Sequence, residues 1–197
     1  MAEYRRQSGT PTSIAHLAGE VGGRARGDAV VESVTADSRA VRPGDLFAAL
    51  PGAHVHGARF AAAAAERGAG AVMTDSEGVA LVEGLGIPLL VVDSPASALG
   101  RAAAAILGEP ASQLDAYAIT GTNGKTTTAY MLDSILAALG RRSGLIGTVE
   151  IRLADTVVPA RLTTPMPDEL QSYLAFHARA GGTDVVMEAS SHALAQR

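Results

Sequence analysis

Ala118-Ile-Thr-Gly-Thr-Asn-Gly-Lys-Thr-Thr-Thr128 joins an apolar run to an amphipathic run through a glycine-rich turn that ends in Lys-Thr. Leu114 to Ile119 reads as a short buried strand. Thr127 to Leu139 reads as a helix with Met131, Leu132, Ile135, Leu136 and Leu139 on one face. Strand, glycine-rich turn and helix in that order make a phosphate-binding loop. A polyphosphate would sit where the first-turn NH groups have no helical partner and the helix dipole favours negative charge. Gly121 and Gly124 let the backbone approach closely, Lys125 can reach terminal phosphates, and the Thr126 hydroxyl can ligate Mg²⁺. The general pattern G-x-x-x-x-G-K-[ST] would put its first glycine at position 119, where Ile119 stands.

Outward from this loop, the 197 residues suffice for one large domain or two smaller ones, and two is the reading here. No apolar run approaches the roughly 18 residues of a membrane span, and the polar start, Met1 to Ser8, lacks the apolar core of a secretory signal. A soluble, cytoplasmic protein with no membrane partner is expected. With no cysteine, disulfides, thiolate zinc sites and thiol catalysis drop out together. A formal charge of −4 without a basic cluster argues against nucleic acid as the main ligand. Lys125 is the only lysine, every other basic residue apart from histidine being arginine. A compact ammonium suits a phosphate site better than a planar guanidinium does.

Ahead of the loop, residues 1–11 read as disordered, and Thr12 or Ser13 as the cap of a helix stopped by Gly22-Gly23. Strands are expected at Val30–Val34, Leu46–Leu50, Ala71–Thr74 and Pro88–Asp93, and helices at Ala58–Arg67 and Ser97–Leu107. Gly108 to Ser112 has the composition of a linker. Beyond the loop come a strand at Gly144–Val149, a hairpin within Glu150–Leu162, a helix starting at Pro167, and a strand Asp184–Glu188 that ends on a carboxylate. Strands alternating with helices make both units α/β. Ligands of an open parallel sheet bind at the carboxyl ends of its strands, so Glu188 and the phosphate loop should meet there.

Three separated motifs carry a family resemblance over nearly the whole chain. Ala36-Asp-Ser-Arg39, Pro43-Gly-Asp-Leu-Phe-Ala-Ala-Leu-Pro-Gly52 and His56-Gly57 form the first, Thr120 to Thr128 the second, and Met187-Glu-Ala-Ser-Ser-His-Ala-Leu-Ala-Gln196 the third. Together they resemble the Mur ligases, the ATP-dependent amide-forming enzymes of peptidoglycan precursor synthesis. The third motif is most similar to the branch that adds a diamino acid to UDP-N-acetylmuramoyl-L-alanyl-D-glutamate. The branch that adds a D-alanyl-D-alanine dipeptide shares the first motif, but the Ser190-Ser191-His192 context argues against it.

The resemblance implies a small N-terminal UDP-binding domain over residues 1–112 and the first part of a P-loop-type parallel-sheet ATPase domain over residues 113–197. It implies that ATP activates the substrate's terminal carboxylate as an acyl phosphate, which the amine of meso-diaminopimelate or L-lysine attacks. Gly121, Thr122, Asn123, Gly124, Lys125, Thr126 and Thr127 would bind ATP. Lys125, Glu188 and His192 would be catalytic, with Thr126, Glu188 and His192 as Mg²⁺ ligands. Ala36, Ser38, Ala53, His54 and Val55 match positions around the UDP group, and Thr163, Thr164, Ser190 and Gln196 match positions contacting the muramyl dipeptide. A monomer is expected. So is a chain that lacks the rest of the ATPase sheet, the carbamylated lysine of the family and the C-terminal domain that selects the amino acid. Such a polypeptide is expected to be inactive alone, as a UDP-sugar-binding module with a loosely folded second unit.

Overall fold

The computed structural model describes residues 4–191. They fall into two compact units, one spanning Ser8–Gly108, the other joining residues up to Gln7 to those from Glu109 onward.

In the first unit, β1 (Thr12–Ser13) leads into α1 (Ile14–Val21), β2 (Arg24–Arg26), β3 (Val30–Val31), β4 (Ser33–Thr35) and β5 (Asp45–Ala48). Next come α2 (Ala61–Glu66), β6 (Ala71–Thr74), α3 (Ser76–Val82), β7 (Leu89–Val91) and α4 (Pro95–Leu107). The main sheet has the order β2-β7-β6-β5-β4, parallel from β4 to β7 and closed by antiparallel β2. Successive side chains of a strand leave opposite faces, and here both faces are covered. Leu46, Ala48, Met73 and Leu90 pack with Ile14 and Leu17 of α1 and Leu99 and Ile106 of α4. Phe47, Val72 and Leu89 face the other way, onto Ala61, Ala64 and Val82.

The expected strand Val30–Val34 is two strands. Glu32 interrupts it, its NH donating to Gly44 O and its carbonyl accepting from Gly9 NH, so β3 pairs with β1 while β4 pairs with β5. The expected helix Ala58–Arg67 begins as a 3-10 turn, Gly57–Phe60. Two elements had no readable signal. β2 is Arg-Ala-Arg at a sheet edge, and α3 carries Gly78 in its first turn. Ser13 is the cap of α1, its Oγ accepting from His16 NH at 3.2 Å.

The second unit holds β8 (Asp115–Ile119), α5 (Lys125–Ala138), β9 (Ser143–Ile146), the hairpin β10 (Glu150–Leu153) and β11 (Thr156–Pro159), α6 (Pro167–Arg179) and β12 (Asp184–Glu188). Its sheet runs β11-β10-β9-β12-β8, with β9, β12 and β8 parallel. Val185 points to the α6 side with Ile146, Leu153 and Leu174, and Val186 to the α5 side with Ala129, Leu136 and Leu145.

Three expectations are corrected here. β8 was expected to be buried, yet only Leu114 just before it is; Asp115 to Ala118 are exposed because β8 is an edge strand with β12 as its single neighbour among the described residues. The expected apolar face of α5 is only partly turned inward, through Leu136 and Leu132. The helix lies over β9 and β12 through Ala129, Asp133 and Leu136, leaving Met131, Ile135 and Leu139 exposed, Ile135 at 57%. Residues 1–11 were expected to be disordered, but from Tyr4 on they are placed. The Tyr4 ring packs tilted against Tyr173 and edge-on to Phe176 at centroid distances of 4.7 and 5.6 Å, and its hydroxyl lies 2.7 Å from Ser172 Oγ.

Candidate phosphate site and its surroundings

The turn after β8 delivers the loop to the start of α5. Gly124 takes the N-cap position at φ 79°, where a left-handed backbone favours glycine, and offers no side chain to the first-turn NH groups. Uncapped first-turn donors of this kind suit an anion. Lys125 Nζ donates to Gly121 O at 2.8 Å, so the ammonium lies across the loop mouth. Gly121 to Gly124 and Thr127 are exposed, with Lys125 and Thr126 half-buried.

β12 then brings Glu188 to the loop. The residue is 1% exposed, at the carboxyl end of a strand flanked by two parallel neighbours. Burial of a carboxylate demands hydrogen-bond donors. Thr126 Oγ1 donates to Oε2 at 3.0 Å, Thr148 NH to Oε1 at 2.9 Å, and Thr148 Oγ1 to Oε2 at 3.1 Å. The Thr148 hydroxyl also lies within hydrogen-bond distance, 3.2 Å, of Thr163 Oγ1. Thr164 Oγ1 donates to Glu188 O at 3.1 Å and accepts from Ser190 NH at 3.0 Å. Thr126, Glu188, Thr163, Thr164 and Ser190, which come from three stretches of sequence, thus belong to one network.

Thr148 joins that network without having been anticipated. The strand expected over Gly144–Val149 would have buried it in a sheet; β9 ends at Ile146, and Gly147-Thr148 forms the turn at its carboxyl end. The signal was its place after a strand parallel to β12. Gly147 makes room for the carboxylate, since a Cβ there would lie 2.5 Å from Glu188 Oε1.

Thr126 and Glu188 offer a hydroxyl and a carboxylate, hard oxygen donors 3.0 Å apart that fit Mg²⁺. Among the described residues no three His, Cys, Asp or Glu side chains converge as a metal site. His192 and Gln196 lie outside the described residues.

In the first unit, Ala36 and Ser38 follow β4 and are half-buried, while Ala53, His54 and Val55 follow β5 and are exposed. Both segments leave the carboxyl ends of adjacent parallel strands, where an open sheet binds ligands. Arg39 forms an exposed ion pair with Asp37 at 2.9 Å and closes a turn there. His177, 1% exposed, has a structural place. Its Nδ1 accepts from Ala154 NH at 3.1 Å, and Nε2–H points at Asp184 O and Arg142 O, 3.0 and 3.1 Å away. Burial pulls its pKa below the ordinary histidine value, partly offset by those carbonyls.

The fold and the loop define an α/β protein with a P-loop-type phosphate cradle and a buried carboxylate beside it. Sequence profiles then give the family. The profile described as Mur ligase family, catalytic domain, matches residues 30–124, and that of the Mur ligase middle domain matches residues 119–197. The chain belongs to the Mur ligase family. It is 49% identical, over 93% of its length, to the UDP-N-acetylmuramoyl-L-alanyl-D-glutamate--2,6-diaminopimelate ligase of Streptomyces avermitilis, and 42% identical over 86% to that of Pseudomonas putida. It spans 36% and 34% of those proteins, about a third of their length. A solved structure of a ligase of the same name matches 95% of this chain and 37% of its own at TM-score 0.72 and 27% identity. MurF from Acinetobacter baumannii shares the fold at TM-score 0.60 and 24% identity, covering 93% of this chain and 36% of its own. No helix among the described residues is long and apolar enough to cross a membrane.

Proposed function

We propose that this chain is the N-terminal portion of a MurE-type ligase, which joins a diamino acid to UDP-N-acetylmuramoyl-L-alanyl-D-glutamate at the expense of ATP, in the cytoplasm, for peptidoglycan and cell-wall synthesis. The observation that carries the reading is the single network linking the phosphate loop, through Thr126 and Glu188, to Thr163, Thr164 and Ser190. The names of the relatives favour 2,6-diaminopimelate over lysine as the incoming amine. The amino-acid site itself would belong to other parts of the enzyme, and the 197 residues alone would bind without catalysing.

In this reading the loop from Gly121 to Thr127 wraps the ATP phosphates, its NH groups and Lys125 countering their charge. Phosphoryl transfer needs little covalent help from a protein, so positioning and electrostatics supply most of the catalysis. Lys125 would follow the charge that builds on the transferring group. Thr126 and Glu188, with His192, would hold Mg²⁺, which supplies charge neutralisation when bound. Thr163, Thr164, Ser190 and Gln196 would orient the dipeptide carboxylate towards the phosphate. Ala36, Ser38 and Ala53 to Val55 would hold the uridine end, far in sequence from the chemistry. The two domains are proposed as residues 1–112 and 113–197.

Calorimetric titration tests this. UDP-N-acetylmuramoyl-L-alanyl-D-glutamate and Mg²⁺-ATP should each bind the chain, and Lys125→Ala should abolish nucleotide binding while sparing the UDP ligand. Loss of both ligands together in Lys125→Ala would refute separate sites.

A further inference from the structure

The segment proposed to meet the uridine end is a small hairpin. Pro51 and His56 form an isolated antiparallel bridge, Gly57 NH donates to Leu50 O at 2.8 Å, and Gly52 to Val55 make the exposed tip. A four-residue tip in water has no packing of its own to set its direction, so its base must. His56 is that base. Its Nδ1 accepts from Ala58 NH at 3.0 Å, which leaves the proton on Nε2, and Nε2–H donates to Asp75 Oδ1 at 3.1 Å. Both side chains are largely buried, with 12% and 15% exposure.

Asp75 is equally fixed. It follows β6 and caps α3, its Oδ1 also accepting from Gly78 NH at 2.8 Å. Gly78 costs a helix interior about 1 kcal/mol against alanine, and its surroundings show why it is there. A Cβ at 78 would come 1.9 Å from Thr74 Oγ1 and 2.7 Å from His56 Cε1. The helix start therefore sits hard against the histidine, over a fully buried Thr74 hydroxyl that has no hydrogen-bond partner among the described residues.

We propose that the His56–Asp75 pair is the positioning device of the nucleotide-binding tip: it ties the hairpin after β5 to the end of β6, and so aims Ala53 to Val55 at the ligand. Neither residue need touch the ligand. The proposal rests on the reading of residues 36–38 and 53–55 as the UDP contact.

His56→Asn separates the two duties of the side chain, because asparagine can still cap Ala58 NH but is too short to reach Asp75. Amide ¹⁵N relaxation of residues 52–55 in the whole chain, free of ligand, should show the tip loosened in His56→Asn, with the melting temperature little changed. The affinity for UDP-N-acetylmuramoyl-L-alanyl-D-glutamate should fall about ten-fold, as when a tip holds its binding conformation a tenth of the time. Asp75→Asn retains the α3 cap and weakens only the charge-assisted bond to His56, so it should give a smaller effect in the same direction; it carries the test if His56→Asn fails to fold. Unchanged relaxation in either folded variant would overturn the proposal whether or not any ligand binds. Ligand binding to wild type with no weakening in the variants would also overturn it, leaving the UDP site intact. Failure of the wild type to bind would instead remove the UDP reading, and the relaxation data alone would then decide the role of His56.

Discussion

Replacing Gly147 by alanine puts one methyl group where Glu188 must lie. The added carbon would stand 2.5 Å from Glu188 Oε1, against a comfortable separation of about 3.4 Å, so the carboxylate must retreat by about 0.9 Å. Oε1 is the atom that accepts from Thr148 NH at 2.9 Å, and such a retreat takes that bond beyond hydrogen-bond range. The backbone at 147 is not left-handed, so alanine itself adds no conformational strain. A hydrogen bond to a charged group contributes about 1.5–3 kcal/mol. For a chain of this size that corresponds to a fall of about 3–12 °C in melting temperature. Because the same carboxylate is the proposed metal ligand, affinity for Mg²⁺-nucleotide should fall by about ten-fold or more, each 1.4 kcal/mol being a factor of ten. Calorimetry with Mg²⁺-ADP and a thermal melt read both effects. The control is Gly19→Ala, in α1 with nothing within 4 Å of the added carbon, which should be neutral or slightly stabilising. A Gly147→Ala chain that melts and binds nucleotide like wild type would refute the carboxylate geometry.

Three further outcomes follow from the same structure. Lys125→Ala should lower nucleotide affinity by at least ten-fold with little change in melting temperature, because the ammonium lies at an exposed loop mouth and bonds only loop carbonyls; a large loss of stability would show that the lysine is structural. Ser13→Ala should cost about 1 kcal/mol by removing the α1 cap, read in urea unfolding. For His177 the folded pKa lies below the ordinary 6.5, so above that pH both states are neutral and the residue gives no pH dependence. As the pH falls below 6.5 the unfolded chain takes the proton first, and stability should decline by at most about 1.4 kcal/mol per pH unit until the folded pKa is reached. A melting temperature as steep in His177→Gln as in wild type between pH 6.5 and 5 would contradict this.

The α/β class of both units, the parallel run of β9, β12 and β8 and the strand-loop-helix around Lys125 were legible because each depends on local pattern: apolar runs, glycine at turns, a carboxylate at a strand end. What could not be read depends on neighbours. The burial of β8 and of the α5 face was inferred from composition, but an edge position exposes the first, and the second is set by which side of α5 meets β9 and β12. Thr148 was hidden by a strand read three residues too far, to Val149 where β9 ends at Ile146, and the tie between His56 and Asp75 by nineteen residues of separation. Glu188 was placed correctly from sequence because a strand terminus and the loop share one end of a parallel sheet. The Thr148 hydroxyl and amide that hold its carboxylate were not, since threonine has many ordinary uses.

The most direct test of the central claim, that the loop and Glu188 form one metal-nucleotide site, is paramagnetic broadening by Mn²⁺-ADP in the ¹⁵N spectrum of the chain. The account predicts that the amides of Gly124, Thr126, Thr148 and Glu188 broaden first and together, and that Glu188→Gln abolishes the effect. Broadening centred elsewhere, or unchanged in Glu188→Gln, would contradict it.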